Sequence, residues 1–240
     1  MNLPGLNPFI TFSSSHLAVL FISFFLFLFF PYTINKNRNA KWINTFSIAL
    51  GLLIIGNEII WVIYKYNLGH RYWPEFMPFE LCTIAAYLLG YILIFKPSYA
   101  IFEVVYFWSL AGTLQGIFTP RLFAAYPHYL FFEYFITHSG VVLATLILLF
   151  RYNWKLTWHS LWKSFIWLQV PALINLVFDF TFDVNYMFMR ELPKVPTLMH
   201  HFGEWPWYIF ISGICGLCLF IILLLPFLIN SKTKEFSSLY

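Results

Sequence analysis

The sequence WYIFISGICGLCLFIILLLPFLI, residues 207–229, contains no charged residue over 23 consecutive positions. A helix that crosses the hydrocarbon core of a bilayer needs about 20 predominantly apolar residues. A soluble domain carries about 25% charged residues, whereas this chain of 240 residues has 10% and a mean hydropathy of +0.73. The stretch therefore predicts a membrane-spanning helix, and the composition excludes a soluble fold.

Six further apolar stretches precede this one, separated by loops that contain proline, asparagine and glycine. They predict an all-α, polytopic membrane helix bundle of seven transmembrane helices, which forms a single domain over residues 1–240. The first, third and fourth stretches of the chain are short for a span. The six stretches are Leu17–Tyr32, Ile43–Tyr64, Phe79–Phe95, Ile101–Phe118, Tyr129–Phe150 and Leu161–Phe180.

The basic residues predict the orientation of the bundle, because cytoplasmic loops carry an excess of lysine and arginine. Nine of the 14 fall on one side of the predicted spans and five on the other. We therefore expect an outside N-terminus and an inside C-terminus in the cell membrane. The nine are Lys36, Arg38, Lys41, Lys96, Arg151, Lys155, Lys163, Lys232 and Lys234, and the five are Lys65, Arg71, Arg121, Arg190 and Lys194.

The composition also limits the possible partners. The 30 Phe, 15 Tyr and 10 Trp suit a lipid-facing surface with aromatic belts. The net charge is only +4 and the basic residues lie in short loops, so nucleic-acid binding has no support. Because no pattern of zinc-ligand spacing occurs, we expect neither a metal nor a cofactor.

The polar residues of the spans are concentrated at the end that is predicted to face outward. Ionisable groups inside a membrane are costly and usually functional. For any single residue, pairing between neighbouring helices is an equally good explanation, but the set as a whole favours a polar cavity that opens outward. Besides Cys82 and His138, the set comprises Asn57, Glu58, Glu80, Gln115, His128, Glu133, Asn175 and Asp179.

Cys82 is the only cysteine near this set, and His138 is the histidine that lies deepest in a span. Cys82, Ala86 and Gly90 follow one another at i, i+4 and i+8, and such a small-residue stripe allows another helix to approach. Cys82 is therefore expected to face the bundle. A neighbouring imidazole activates a thiol as a nucleophile, although a buried cysteine is more often inert.

Acyl transfer through a thiol would also need donors for the oxyanion that forms at the acyl carbonyl. Asn57, Gln115 and Asn175 are the side-chain amides within the polar set. These three residues are therefore the candidate donors.

Several segments between Glu58 and Tyr208 resemble the YwaF-type family of bacterial integral membrane proteins, which is related to the eukaryotic transmembrane protein 164. The motifs of the fourth and fifth spans are fairly specific. At Glu80 the chain departs from the family, in which many relatives have histidine at this position. The motifs are FELC at 79–82, YFWSLAGTLQ at 106–115, Thr119-Pro120, Pro127-His128, FEYFITH at 132–138 and GEWPWY at 203–208.

The resemblance implies a phospholipid acyltransferase or transacylase, because the eukaryotic relative looks like one that works through a cysteine and a histidine. Those roles would fall on Cys82 and His138, with phospholipid or lysophospholipid as the partner. Cys82 would form an acyl thioester, His138 would act as base and then acid, and Glu133 or Asp179 would orient the imidazole. The departure at Glu80 weakens a mechanism with a second imidazole and leaves the pair intact.

A binding or transport protein without catalysis is the main alternative function. Seven spans and an outward polar cavity would also suit a transporter or a receptor for a small molecule or lipid. The absence of an inverted repeat and of paired broken helices in the two halves of the sequence disfavours a secondary transporter. A scaffold protein, in which the packing motifs have no further role, is the third possibility.

Overall fold

The computed structural model describes residues 7–194 and 197–237, with side chains up to residue 229. The first two helices are α1 (Ser14–Lys36) and α2 (Lys41–Asn67), followed by the short helix α3 (Leu81–Ile94). The side chains of Lys232 and Lys234, which enter the charge count, lie outside the described part.

The fourth helical segment is interrupted by one turn of π-helix. It consists of α4 (Tyr99–Trp108), the π-turn (Ser109–Thr113) and α5 (Leu114–Phe118), which follow each other without a break. Such π-turns inside helices are frequent at functional sites because they change the direction in which the following side chains point.

Three long helices follow. They are α6 (Tyr129–Tyr152), α7 (Trp158–Phe182) and α8 (Trp207–Ser237). A capping box between Thr157 and Ser160 begins α7, and it satisfies backbone donors that have no partner within the helix. Left-handed Asn153 and Asp183 terminate α6 and α7, a common way to end a helix.

When the α4–α5 segment is counted as one helix, the described residues contain seven α-helices, and six of them are long and apolar enough to cross a membrane. This confirms the predicted all-α membrane bundle. The exception is α3, whose 14 residues extend about 21 Å at 1.5 Å per residue, less than the roughly 30 Å thickness of a hydrocarbon core. The predicted span Phe79–Phe95 is therefore shorter than expected, because Phe79 and Glu80 are extended loop residues.

Helix α6 is the centre of the bundle, since it contacts α1, α2, α3 and the α4–α5 segment. From Gly140 onward its buried residues are small or aliphatic, Ala144 and Ile147 among them. Helix α7 packs against α4 and α8. Few of the large apolar side chains described on α7 and α8 are buried, as expected for a surface that faces lipid.

Two glycines let α2 and α3 approach closely. A Cβ atom on Gly90 would lie 2.6 Å from Cγ1 of Ile55, and one on Gly51 would lie 3.0 Å from the Gly90 carbonyl oxygen. The small-residue stripe of α3 therefore packs against α2, as the sequence predicts, and fixes the helix that carries Cys82.

Candidate functional site

The predicted polar residues lie mainly at one end of the bundle, where α2, α5 and α7 end and α3, α6 and α8 begin. We call this region the polar end. The opposite end contains the buried carboxylate of Glu103, which is paired with Lys163 and accepts a hydrogen bond from Ser160 at 2.8 Å.

Asn57, Glu58 and Thr137 form a buried hydrogen-bond network between α2 and α6. The Asn57 amide donates to the Glu133 carbonyl oxygen at 2.8 Å and to the Thr137 hydroxyl at 2.9 Å. Thr137 in turn donates to Glu58 at 2.8 Å. Both amide hydrogens of Asn57 are therefore engaged, and this residue has no donor left for an oxyanion.

Gln115 does not point toward the thiol. Its amide donates to the Ala111 carbonyl oxygen of its own helix at 2.7 Å, and the side chain is exposed. Two residues are about 200° apart around a helix, so Gln115 lies on the face opposite Thr113. The prediction that Gln115 serves as an oxyanion donor is therefore wrong.

Cys82 lies in the first turn of α3 and is half-buried. Thr113, the last residue of the π-turn, is a neighbour of the thiol. Tyr134 of α6 and Arg121 of the loop after α5 are electrostatic neighbours of the same thiol. The thiol therefore faces the interior of the bundle.

His138 approaches the turn that follows Thr113 from the α6 side. A Cβ atom on Gly116 would lie 2.8 Å from Cδ2 and 3.1 Å from Nε2 of His138. Only glycine at this position leaves room for the imidazole. Thr113 and Gly116 are one helical turn apart, so Cys82 and His138 pack on the same turn of one helix, although no hydrogen bond joins them among the described residues.

The tautomer of His138 follows from its hydrogen bond. Nδ1 lies 2.8 Å from the Tyr134 carbonyl oxygen, and a carbonyl oxygen only accepts, so Nδ1 is the protonated nitrogen. In the neutral ring, Nε2 is then an acceptor that faces Gly116. The Tyr134 ring stacks on the imidazole with centroids 3.9 Å apart, and its hydroxyl donates to the Gly116 carbonyl oxygen at 2.9 Å.

The orienting group is thus a backbone carbonyl rather than a carboxylate. Glu133 and Asp179 make no hydrogen bond with His138 in the described part of the chain, and the prediction that one of them orients the imidazole is wrong. Glu133 acts on the ring only as an electrostatic neighbour. His128 lies apart from the pair, because its Nδ1 caps α6 by accepting from the Leu130 amide at 3.2 Å.

Asn175 and Asp179 are buried on α7 and help to position the segment before Cys82. Asn175 donates to the Phe79 carbonyl oxygen at 2.9 Å, which fixes the chain just ahead of α3. The Tyr186 amide lies near Asp179, but neither carboxylate oxygen has a partner in hydrogen-bond geometry.

Glu80 connects the start of α3 to the segment between α7 and α8. Its carboxyl accepts from the Met187 amide at 3.3 Å. Burial raises the pKa of Glu80 above its ordinary value, while Arg121 and the Met187 amide act in the opposite direction. Glu80 is therefore a carboxyl directly before the thiol in the sequence, and it is bound to the segment between α7 and α8.

Four residues that matter here were not singled out from the sequence. Tyr134 is four residues before His138 on the same helix, so helical periodicity would have found it. Arg121 is the only Asp, Glu, Lys or Arg between Thr119 and His128. Thr113 has no comparable signal. His16, which we assigned no role, is fully buried and bridges the Phe12 amide and the Ile117 carbonyl oxygen.

Seven helices, six of them able to cross a bilayer, with buried polar residues at one end, define a multi-pass α-helical membrane protein. The model of the TMEM164 family matches residues 11–224, so the chain belongs to this family. This confirms the resemblance that the motifs indicated. No curated protein and no solved structure matches the chain.

Proposed function

We propose that this protein is a membrane-embedded phospholipid acyltransferase or transacylase that works through an acyl thioester on Cys82. The observation that carries the proposal is the placement of Cys82 and His138 on one helical turn, from two different helices, at the polar end. The resemblance to a cysteine- and histidine-dependent acyltransferase supports it. We also propose the cell membrane as the location.

His138 has the protonation pattern that the first half-reaction needs. With Nδ1 bound to the Tyr134 carbonyl oxygen, Nε2 accepts the thiol proton as the Cys82 sulfur attacks the ester carbonyl of a phospholipid. A new C–S bond forms and the ester C–O bond breaks. The imidazolium then gives its proton to the leaving alkoxide, which departs as a lysophospholipid.

The second half-reaction reverses these steps with another alcohol. The hydroxyl of an acceptor lysophospholipid attacks the thioester carbonyl, and His138 accepts its proton. The C–S bond breaks, the acyl group leaves as a new ester, and the proton returns to the sulfur. Thr113, which is buried beside the thiol, is the available hydroxyl donor for the oxyanion of both steps.

The test uses the purified protein in liposomes with a donor phospholipid that carries an isotopically labelled acyl chain and an unlabelled lysophospholipid acceptor. Mass spectrometry measures the labelled acyl chain on the acceptor. Cys82→Ser and His138→Ala are expected to lower transfer at least a hundredfold. Cys215→Ser and Cys218→Ser are the matched controls, because both thiols are exposed on α8. Full transfer by Cys82→Ser would contradict the proposal.

A binding protein without catalysis is the second candidate, and one observation favours it. The larger of the two cavities described has a volume of about 520 Å³, and its lining includes neither Cys82 nor His138. Alkylation by iodoacetamide separates the two functions. A Cys82 thiol whose labelling depends on His138 favours the enzyme, whereas an unreactive thiol together with lipid binding favours the binding protein.

A further inference from the structure

A cavity of about 520 Å³ opens at the polar end, between the loop after α5 and the segment that joins α7 to α8. Its basic lining residues are Arg121, Arg190 and Lys194, and its acidic ones are Asp183 and Glu191. Some of these charged residues form an ion pair and others do not, and the unpaired ones indicate the charge of the ligand that the cavity would bind.

Arg190 and Asp183 neutralise each other through a salt bridge of 2.5 Å. Arg121 and Lys194 have no ion pair among the described residues, and the Glu191 carboxylate likewise has none. Two cations therefore remain against one carboxylate, so the lining keeps a positive charge. Such a cavity suits an anion.

Arg121 is held in a defined position within this lining. The carbon at the centre of its guanidinium lies 3.8 Å from the centroid of the Phe188 ring. The Phe188 carbonyl oxygen accepts a hydrogen bond from the Tyr208 hydroxyl at 2.8 Å, which anchors the residue under the guanidinium. A guanidinium stacked by its flat face keeps its N–H donors free at the edge, where they bind phosphate in a bidentate manner.

Arg121 also lies close to the candidate reactive pair. It acts electrostatically on Cys82, His138, Tyr134 and Glu80. Arg121 also follows the end of α5 by three residues, and Gly116 of α5 contacts His138. An anion bound at Arg121 therefore lies near the end of the helix that packs against the imidazole.

We propose that Arg121 binds the phosphate group of a lipid in this cavity and so positions the acyl ester at Cys82. The inference rests on the proposed acyl transfer for its positioning role. In a glycerophospholipid the phosphate and one acyl ester are attached to neighbouring glycerol carbons. Fixing the phosphate at Arg121 therefore leaves the ester only a short distance to reach the thiol.

The test measures lipid binding in a Cys82→Ser background, in which bound lipid is not consumed. The two probes are a fluorescent lysophosphatidylcholine and a monoacylglycerol with the same chain, which differ by the phosphate-bearing headgroup. Arg121→Gln is expected to weaken binding of the lysophospholipid at least tenfold and to leave monoacylglycerol binding unchanged. Arg121→Lys should retain part of the affinity, because it keeps the charge and loses the bidentate geometry.

Arg71→Gln is the matched control, because Arg71 also stacks on an aromatic ring, 3.9 Å from the centroid of Tyr66, but does not line the cavity. Its expected effect is less than threefold. Equal weakening of both lipids by Arg121→Gln would overturn the proposal, since a phosphate contact cannot act on monoacylglycerol. Inorganic phosphate whose binding is lost in Arg121→Gln, but which does not compete with the lysophospholipid, would also overturn it, since the cavity would then hold free phosphate and not the lipid.

The outcomes separate this inference from the proposed function. If no acyl transfer occurs but Arg121→Gln selectively weakens the lysophospholipid, the enzyme proposal fails and the phosphate site remains. If acyl transfer occurs and Arg121→Gln changes neither lipid binding nor the KM for the phospholipid, the phosphate site fails alone.

Discussion

The His138 ring is held from three directions by its immediate neighbours. The Tyr134 carbonyl oxygen binds Nδ1, the Tyr134 ring covers one face, and Gly116 lies against the ring edge. Together these contacts restrict both side-chain torsions of His138 and keep Nε2 directed at the turn that also lies beside Cys82. In the proposed acyl transfer, this is the pre-organisation that the base needs.

Gly116→Ala is expected to displace His138 and lower acyl transfer about a hundredfold, because small misplacements of catalytic groups have effects of that size. The added methyl would lie 2.8 Å from Cδ2 of His138 and 3.0 Å from the Tyr134 hydroxyl. The transfer assay and the midpoint of thermal unfolding in detergent are measured together. Gly112→Ala is the control, since its new methyl would meet only Cδ2 of Leu81, at 3.8 Å. Equal losses in the two variants would argue against the specific contact.

Among the secondary-structure elements, α2 and α6 are joined by the most extensive buried polar contact at the polar end. Asn57, Glu58 and Thr137 are all less than 10% exposed. Thr137 accepts a hydrogen bond from Asn57 and donates one to Glu58. Farther from the polar end, Gly51 and Gly90 bring α3 against α2. The two contacts together set the relative positions of α3, which carries Cys82, and α6, which carries His138.

Thr137→Val is expected to destabilise the protein by about 1–3 kcal/mol, because it leaves a buried donor of Asn57 and a buried oxygen of Glu58 without a partner. Thr145→Val is the matched control on the same helix. The Thr145 hydroxyl donates only to the Val141 carbonyl oxygen of its own helix, so its loss should have a much smaller effect. Thermal or denaturant unfolding in detergent measures both. Similar stabilities for the two variants would contradict a structural role for the network.

The whole molecule separates its polar groups between two ends with different chemistry. At the opposite end, the Glu103 carboxylate forms a salt bridge with Lys163 and accepts a hydrogen bond from Ser160. Both of its oxygens therefore have partners, as expected for a structural contact. At the polar end, the thiol, the imidazole and the basic cavity lie together. Within the described part of the chain, a thiol and an imidazole approach the same helical turn only at this end, as the proposed acyl transfer requires.

The charge distribution predicts that the polar end faces outward. Single cysteines placed at Leu68 and Lys194, in a background that lacks the three native cysteines, should react with a membrane-impermeant maleimide in intact cells. Cysteines placed at Asn39 and Lys96, in the loops at the other end, should react only after the cells are permeabilised. The reverse pattern would show that the polar end faces the cytoplasm.

The sequence alone determined the class of the protein and which face of α3 and of α7 packs inside the bundle. Long uncharged runs such as Trp207–Ile229 have no stable place in water, so composition fixes the membrane bundle. The spacing of Cys82, Ala86 and Gly90 identified the packing face of α3. Local spacing also placed Asn175 and Asp179 on one face of α7, where both are buried.

Only the tertiary structure decided which polar groups meet. Gln115 is as polar as Asn57, but it points away from Thr113 and binds its own helix. Local spacing in the sequence does not show that Cys82 and His138 approach the same helical turn. It also does not show that Arg121 lies over Phe188. The physical reason is that these contacts join residues distant in sequence, and the π-turn and the two glycines at 51 and 90 set the rotation and separation of the helices that carry them.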